Sequence, residues 1–471
     1  MYPHNLPVAI IGAGPVGMAA AAHLVKRGME FILLEAGRSV GANIRSWGHV
    51  RVFSPWEYNL DQASRELLEQ TSWRTPKLDD LPTGDEIVAQ YLTPLAMHPS
   101  IEPHLHLNTR VLSIGRLGMD KVKTHGREKV PFQLRVESEG KISQLKAGAM
   151  IDATGTWAQA NPIGAGGIPA IGEESLKSSI FYGIPDVSGK DSSRYAGKKV
   201  LVVGGGHSAI QALLSLAELQ ASAPETQIVW ILRKRNLETI YGGKEQDALK
   251  GRGELGIRME ALVNSGRLQI FTPFHIEALR QSNEGIEVSG NWNGHAHAIK
   301  GIEEIIANTG SRPDLDMLRE VRVNVDAHLE SVHALADLID PNLHSCGTVR
   351  PHGEAELRHA EPNLYIVGAK SYGRAPTFLM ATGYEQVRSV VAHLAGDFKA
   401  AKQVRLSLPE TGVCSSNLGF SKISASCCGP STDSEPACDS EPEYQEITTV
   451  SCCAPTPVAQ TKPKLTDGCC G

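Results

Sequence analysis

Two glycine clusters, one carboxylate, one run of cations and three cysteine pairs are the residues whose types and spacing could do chemistry. Gly12-Ala13-Gly14-Pro15-Val16-Gly17 has the G-x-G-x-x-G pattern. Its first glycine permits a tight turn, its second lets backbone approach a pyrophosphate, and its third lets a helix pack against a strand. Glu35 ends the next apolar run, where a carboxylate can accept hydrogen bonds from a ribose diol and would repel a 2′-phosphate. Gly204-Gly205-Gly206-His207-Ser208-Ala209 is the G-x-G-x-x-A form, and there the following apolar run ends on Arg233-Lys234-Arg235. A cationic cluster at that point can pair with a 2′-phosphate. These motifs predict one dinucleotide, expected to be FAD, on Gly12, Gly14, Pro15, Gly17 and Glu35. They predict a second on Gly204, Gly206, His207, Ser208 and Ala209, with Arg233, Lys234 and Arg235 favouring NADPH over NADH.

The nine cysteines are unevenly spread: Cys346 stands alone in the body, and eight lie between Cys414 and Cys470. Cys427-Cys428, Cys452-Cys453 and Cys469-Cys470 are adjacent pairs. Adjacent cysteines close only a strained small ring, whereas two neighbouring thiolates can converge on a soft centre such as trivalent arsenic or antimony, Hg(II), Cu(I) or zinc. The spacing is not that of a zinc finger. The six paired cysteines are therefore candidate ligands for a metalloid or soft metal, and a body without a disulfide framework fits a reducing compartment.

The elements that must position these groups can be read from apolar runs. Val8 to Gly12, Ala19 to Leu24 and Phe31 to Glu35 read as strand, helix and strand, and the order recurs at Lys199 to Val203, Ala209 to Leu219 and Ile228 to Leu232. Two such units mean two nucleotides. Gly84 to Leu95 reads as a helix behind Pro82-Thr83, and Leu105 to Ile114 and Val130 to Glu137 alternate as strands. Leu364 to Val367 returns to a strand, followed by a helix from Thr382 to Leu394, as in a domain split by an insertion. The expected fold class is α/β, with two Rossmann-like domains: a discontinuous FAD domain over 1–160 and 310–400, and an inserted NADPH domain over 161–309. Residues 401–471, rich in Ser, Thr, Pro, Glu and Cys, are expected to form a flexible tail.

Composition bounds the partners. A chain of 471 residues suits two or three domains. A net charge of -6 with 21% charged residues leaves no basic surplus for nucleic acid or an anionic membrane. The apolar stretch Val8 to Val25 lacks a preceding Lys or Arg and is interrupted by Pro15 and glycines, so it reads as strand, turn and helix rather than a signal peptide or span. The expectation is a soluble, cytoplasmic protein acting on small molecules.

Asp152-Ala153-Thr154-Gly155 and Asn308-Thr309-Gly310-Ser311-Arg312-Pro313 each end an apolar strand in a small-residue turn. Together with the two fingerprints they resemble the A-T-G crossovers of two-dinucleotide-binding-domain flavoproteins, the superfamily holding thioredoxin reductase and class B flavin monooxygenases. The resemblance implies FAD contacts at Val111, Thr154, Gly155, Gly368 and Gly383, and NADPH contacts at Thr309 and Gly310. It also implies that the helix beginning at Thr382 to Gln386 points at the isoalloxazine. Three departures stand out. Gly368-Ala369-Lys370 replaces the Asp usual after that glycine. Phe181-Tyr182-Gly183 is followed by Val187 where class B enzymes have a His, and the C-x-x-C of thioredoxin reductase is missing. Trp47 to Trp56 occupies the stretch that approaches the flavin in such proteins, so His49, Arg51 and Trp56 are candidate flavin, substrate or catalytic contacts, with aromatic core packing as the alternative.

With its cysteine pairs the chain is similar to the flavin-dependent monooxygenases of arsenic and antimony resistance. That similarity implies hydride transfer from NADPH to the flavin, dioxygen as oxidant, and a trivalent metalloid or organoarsenical as substrate, delivered by the tail. Two other readings are a flavoprotein reductase acting on a disulfide or a thiol-bound metal, and a metal-sequestering protein.

Overall fold

The structure is a computed structural model that describes residues 6–343, 352–376 and 378–405. Five parallel strands form a first sheet in the order Leu364–Ile366, Ala149–Asp152, Val8–Ile11, Phe31–Leu34, Leu105–His106. Val8–Ile11 is buried along its whole length because both faces of the sheet are covered, which is why it reads as an unbroken apolar run. The helix Pro15–Lys26 covers one face, with Met18 to Ala22 and Leu24 buried. Its four consecutive alanines present little side chain, so it can lie close to the sheet and to the helix Met380–Leu394.

A second five-stranded parallel sheet has the order Leu268–Phe271, Gln227–Ile231, Lys199–Val203, Glu304–Ala307, Ile180–Tyr182. Helices His207–Leu219 and Lys250–Asn264 supply the apolar cluster on one face. A three-stranded antiparallel meander, Phe274–Ser282, Gly285–Trp292 and His295–Ile302, supplies the cluster on the other. The first sheet thus draws strands from both sides of the stretch that builds the second.

Several expected elements differ in detail. Leu105 to Ile114 is two strands: Leu105–His106 joins the parallel sheet, while Thr109–Arg116 joins a second meander with Phe132–Ser138 and Lys141–Ala147. Asn108, at φ 51, turns the chain between them, a left-handed conformation Asn tolerates. The helix over Gly84 to Leu95 contains a π-helical turn, Val88–Leu92, between Gly84–Ile87 and Thr93–Ala96. It starts on a full capping box between Thr83 and Glu86. The body extends slightly past the expected boundary at 400. Helix Phe398–Lys402 buries Ala400 and Ala401, Ser389 donates to the Ala401 carbonyl at 2.6 Å, and the Arg405 amide donates to Glu385 at 3.1 Å.

A buried charge cluster sets the approach to the last strand. Arg116 Nε and Arg127 Nη2 each lie 2.8 Å from the Glu361 carboxylate. Burial pushes that carboxyl up, but hydrogen bonds from Arg127 and Arg116 outweigh burial and hold it below the usual range. The meander is thereby tied to the turn before Leu364.

Candidate functional site

The first fingerprint folds as its spacing predicts. Gly12 takes φ +96, and a Cβ there would stand 2.8 Å from the Ala153 carbonyl oxygen. A Cβ on Gly17 would meet the Gly12 carbonyl oxygen at 1.8 Å. Both positions are closed by the protein's own backbone. Gly14 is different: it is the N-cap of Pro15–Lys26 with ordinary extended angles, and a Cβ on it meets nothing within 4 Å. No side chain caps that helix, and Pro15 supplies the first helical residue, whose missing N–H would be unsatisfied anyway. An open approach to uncapped N–H groups at the positive end of a helix fits a pyrophosphate.

Glu35 is held in place by two amides, Ala13 N on Oε2 and Gly37 N on Oε1, both at 2.7 Å. An ionised carboxylate has about four acceptor positions. Two are left for the ribose diol that the sequence assigns to it, so the residues present fit the adenosine half of FAD.

The late strand brings the remaining first-domain residues to the same helix. Gly368 has φ +69, and Cβ atoms on Gly368 and Gly383 would stand 3.3 and 2.5 Å from Val16 Cγ2. These glycines let Met380–Leu394 pack on the fingerprint helix. The Gly368 amide donates to Gln386 at 2.7 Å. Lys370 is 2% exposed, and its ammonium donates to Asp152 at 2.6 Å and to Thr154 Oγ1 at 3.0 Å. Asp152 also accepts from the Thr154 amide and hydroxyl, at 3.1 and 2.7 Å. In the sequence Lys370 stands only as a departure from the Asp usual after that glycine. Its role, fixing the first crossover turn from the end of the neighbouring strand, is signalled in the sequence only by the Lys itself.

In the second fingerprint Gly204 has φ +134, and a Cβ would stand 2.3 Å from the Asn308 carbonyl oxygen. Gly206 caps His207–Leu219 without a side-chain partner and opens on free space, as Gly14 does. Arg233, Lys234 and Arg235 are exposed at the end of Gln227–Ile231. Arg233 reaches the Ala165 carbonyl at 3.3 Å. The two crossovers are strapped together: the Asn161 amide donates to the Gly310 carbonyl at 2.9 Å, Thr309 donates its hydroxyl to the Asn161 carbonyl, and Ser311 donates to Thr156 at 2.9 Å.

One cavity of about 780 Å³ joins these parts. It is lined by Gly204 to Ser208, Arg233, Lys234, Thr309 and Gly310 on one side and by Ala369, Tyr372 and Thr382 on the other, with Thr156 and Trp157 between. Arg235 does not line it. Buried Arg252, from the first turn of Lys250–Asn264, does. Burial, then the positive charges of Arg252 and Lys234, push the His207 imidazole down to about 4, so it is neutral near pH 7.

From the aromatic and basic stretch Phe53 lines this cavity, whereas His49, Arg51 and Trp56 do not. His49 and Arg51 line a smaller cavity of about 310 Å³ against His207–Leu219 and Lys250–Asn264. Arg51 donates to the Leu81 carbonyl, and His49 Nε2 is buried without a partner. Trp56 is 3% exposed and belongs to the first core. Val111 pairs with Val136 in the meander and packs on the same core. The six paired cysteines and Cys346 lie outside the described residues. Among the described residues no group of His, Cys, Asp and Glu could hold a metal ion, and no helix is long and apolar enough to cross a membrane.

Comparison with known proteins gives the family and the fold. The model of a family described as pyridine nucleotide-disulphide oxidoreductase matches residues 9–335. Ferredoxin–NADP reductase of Rickettsia rickettsii (strain Iowa) is 22% identical over 353 residues, 71% of this chain and 84% of that protein. The ferredoxin–NADP reductase of Rhodospirillum rubrum is 23% identical over 397 residues, 83% of this chain and 91% of its own. Among solved structures, bacillithiol disulfide reductase from Bacillus cereus superposes with a TM-score of 0.61 at 20% identity, covering 83% of this chain and 99% of that one. The FAD-bound cadaverine monooxygenase DfoA of Erwinia amylovora superposes with a TM-score of 0.57 at 14% identity, covering 86% and 98%. At these identities the structural likenesses establish the fold.

Proposed function

Because the chain belongs to the pyridine nucleotide-disulphide oxidoreductase family and is a flavin-dependent oxidoreductase, we propose that it is an NADPH-dependent FAD monooxygenase or oxidase that converts trivalent arsenic or antimony to pentavalent forms. The observation that carries the redox half is the single cavity running from the Gly206 helix terminus to Ala369, Tyr372 and Thr382. It lets one ligand on the second fingerprint reach the end of the first domain where the resemblance places the flavin ring. FAD, when bound, supplies two-electron transfer between nicotinamide and dioxygen.

The chain's own residues bind and orient. Gly14 and the uncapped helix behind it receive the FAD pyrophosphate, and Glu35 the adenosine ribose. Thr154 and Gly155, steadied by Asp152 and Lys370, lie on the first crossover, with Gly368 and Gly383 packing the late helix on the fingerprint helix. Gly204, Gly206, His207, Ser208, Ala209, Thr309 and Gly310 seat NADPH, and Arg233 and Lys234 meet its 2′-phosphate. Arg235 is left to general attraction. Trp157, Tyr372 and Phe378 wall the cavity and exclude water from the transfer.

The metalloid half rests on the cysteine pairs, whose thiolates suit a soft trivalent centre. The chain carries one cysteine before Cys414 and no C-x-x-C, so its body offers no dithiol for disulfide reduction, which favours oxygen as acceptor. NADPH and the trivalent centre would each give two electrons to one dioxygen, leaving one oxygen atom on the pentavalent product and one in water. A second reading, electron delivery to an external carrier, is favoured by the matches to ferredoxin–NADP reductases. Oxygen and NADPH consumption by purified protein, with and without trivalent arsenic or antimony, separates them. Metalloid-stimulated consumption of both, with pentavalent product, supports the oxidation. NADPH oxidation that proceeds anaerobically with a carrier and ignores metalloid supports the reductase.

A further inference from the structure

Arg252 is a buried cation that neither glycine motif nor the Arg233 cluster accounts for. It is 7% exposed, and Asp247, 5% exposed, holds it through Nε at 2.7 Å and Nη2 at 2.8 Å. Asp247 also accepts from the Leu249 amide at 2.9 Å, so the carboxylate is fixed to the turn leading into Lys250–Asn264. The pair leaves one edge of the guanidinium over: among the described residues Nη1 has no hydrogen-bond partner. Arg252 lines the main cavity beside Gly205, Gly206, His207 and Lys234. Its charge, with that of Lys234, acts on the His207 ring at the first position of the fingerprint helix. Phe53 closes the arrangement from the first domain, with its ring 5.2 Å from His207 and the Arg252 guanidinium 5.9 Å above its centroid.

We propose that Arg252 is a phosphate clamp of the second dinucleotide site, giving its free Nη1 edge to a pyrophosphate oxygen of a pyridine nucleotide seated on the Gly206 helix terminus. A guanidinium locked by a carboxylate on one edge binds on the other without losing rotamer freedom. It also stands close enough to the uncapped helix end to act on its first side chain, so two positive sources converge on one anion. The backbone beside it is tightly seated: a Cβ on Gly251 would stand 2.7 Å from Leu81 Cδ1 and 3.2 Å from the Phe53 carbonyl oxygen. The clamp is thus oriented by Asp247 within its own domain, on a helix start whose backbone packs against Leu81 and Phe53 of the first domain. This assignment rests on reading the second fingerprint as a pyridine-nucleotide site, and it differs from the Arg233 and Lys234 role in the phosphate it serves.

The test is equilibrium binding of NADPH, NADH, ADP-ribose and adenosine 2′-monophosphate to the FAD-loaded full chain and its variants. Arg252→Met should weaken NADPH, NADH and ADP-ribose alike, by about tenfold to a hundredfold for one charged hydrogen bond, and leave adenosine 2′-monophosphate unchanged. Arg233→Ala with Lys234→Ala should do the reverse, weakening NADPH and adenosine 2′-monophosphate only. Arg252→Lys keeps the charge and should retain part of the affinity, and Asp247→Asn should show a smaller loss than Arg252→Met. These two variants answer the question if Arg252→Met does not fold, and FAD content reports folding in each. Unchanged ADP-ribose binding in well-folded Arg252→Met or Arg252→Lys overturns the clamp. A loss confined to NADPH and adenosine 2′-monophosphate overturns it in favour of a 2′-phosphate role. Wild-type protein that binds none of the four overturns the clamp together with the pyridine-nucleotide reading beneath it.

Discussion

Gly14 and Gly17 are separated by three positions in one motif, yet the structure assigns them opposite kinds of necessity, and alanine should separate the two. At Gly14 a methyl group meets no protein atom within 4 Å and the backbone angles are ordinary. Alanine is a poorer N-cap than glycine by about 1 kcal/mol or less, and it reduces unfolded-chain entropy by roughly the same amount, about 0.4–1 kcal/mol. The stability of the flavin-free protein should therefore change by less than about 1 kcal/mol. The methyl would, however, stand where a pyrophosphate must approach the helix end. Losing one charge-assisted hydrogen bond, about 1.5–3 kcal/mol, weakens FAD binding roughly 10- to 150-fold. At Gly17 a methyl would sit 1.8 Å from the Gly12 carbonyl oxygen, so helix and turn must separate, and the first domain should fail to fold. The assay is FAD content on purification, FAD affinity by flavin fluorescence, and the thermal midpoint of flavin-free protein. Gly14→Ala that retains full FAD at wild-type affinity would show that no pyrophosphate approaches this helix end, and Gly14→Ala as unstable as Gly17→Ala would show that the position is packed.

Four further outcomes are expected. Arg233→Ala with Lys234→Ala should raise the NADPH Michaelis constant by about tenfold or more and leave NADH nearly unaffected, which steady-state kinetics with both nucleotides would check. Lys370→Met strands the buried Asp152 carboxylate and should cost about 3–5 kcal/mol in denaturant unfolding, whereas replacing Lys370 and Asp152 together by apolar residues should recover most of it. His207, pushed down to about 4 by burial and neighbouring charge, and His359, pushed down to about 4 by burial, bind protons more tightly when unfolded. Their contribution is complete above about pH 6.5 and is lost as pH falls towards 4, so unfolding free energy should decline across that window and His207→Phe should flatten the decline. Truncation after Arg405 should leave fold and FAD content intact and lower metalloid-stimulated NADPH oxidation only at limiting metalloid, and replacing the six paired cysteines by serine should reproduce that loss.

How much of this was legible in the sequence follows from the range of the interactions involved. Glycine turns, buried parallel strands and helix starts are written locally, so both fingerprints, the strands Val8–Ile11 and Lys199–Val203, and the helix start behind Pro82-Thr83 could be read directly. The helix Lys250–Asn264 was missed because Gly251, Gly253 and Gly256 depress its propensity. The reason for two of those glycines is tertiary: Cβ atoms at Gly253 and Gly256 would stand 2.1 and 1.9 Å from the carbonyl oxygens of Lys244 and Tyr241. The boundary at 400 fell short because Ala400 and Ala401 are anchored by Arg388 and Ser389, residues a composition count cannot pair with them. Lys370 with Asp152, and Arg252 with Asp247, join or fix turns through side chains whose meaning appears only once the sheets are assembled. The placement of Trp56 in the core reflects the same limit, since an aromatic near a motif can serve packing or a ligand equally well until its neighbours are known.

If one cavity serves both sites, a nucleotide on the second fingerprint should reduce a flavin on the first. Anaerobic mixing of the purified, FAD-loaded protein with NADPH tests it most directly, by following the flavin absorption band. Prompt bleaching by NADPH, slower bleaching by the same concentration of NADH, and recovery of the band when oxygen is admitted are expected. Protein that carries no flavin, or a bound flavin that NADPH and NADH both fail to bleach, would contradict this.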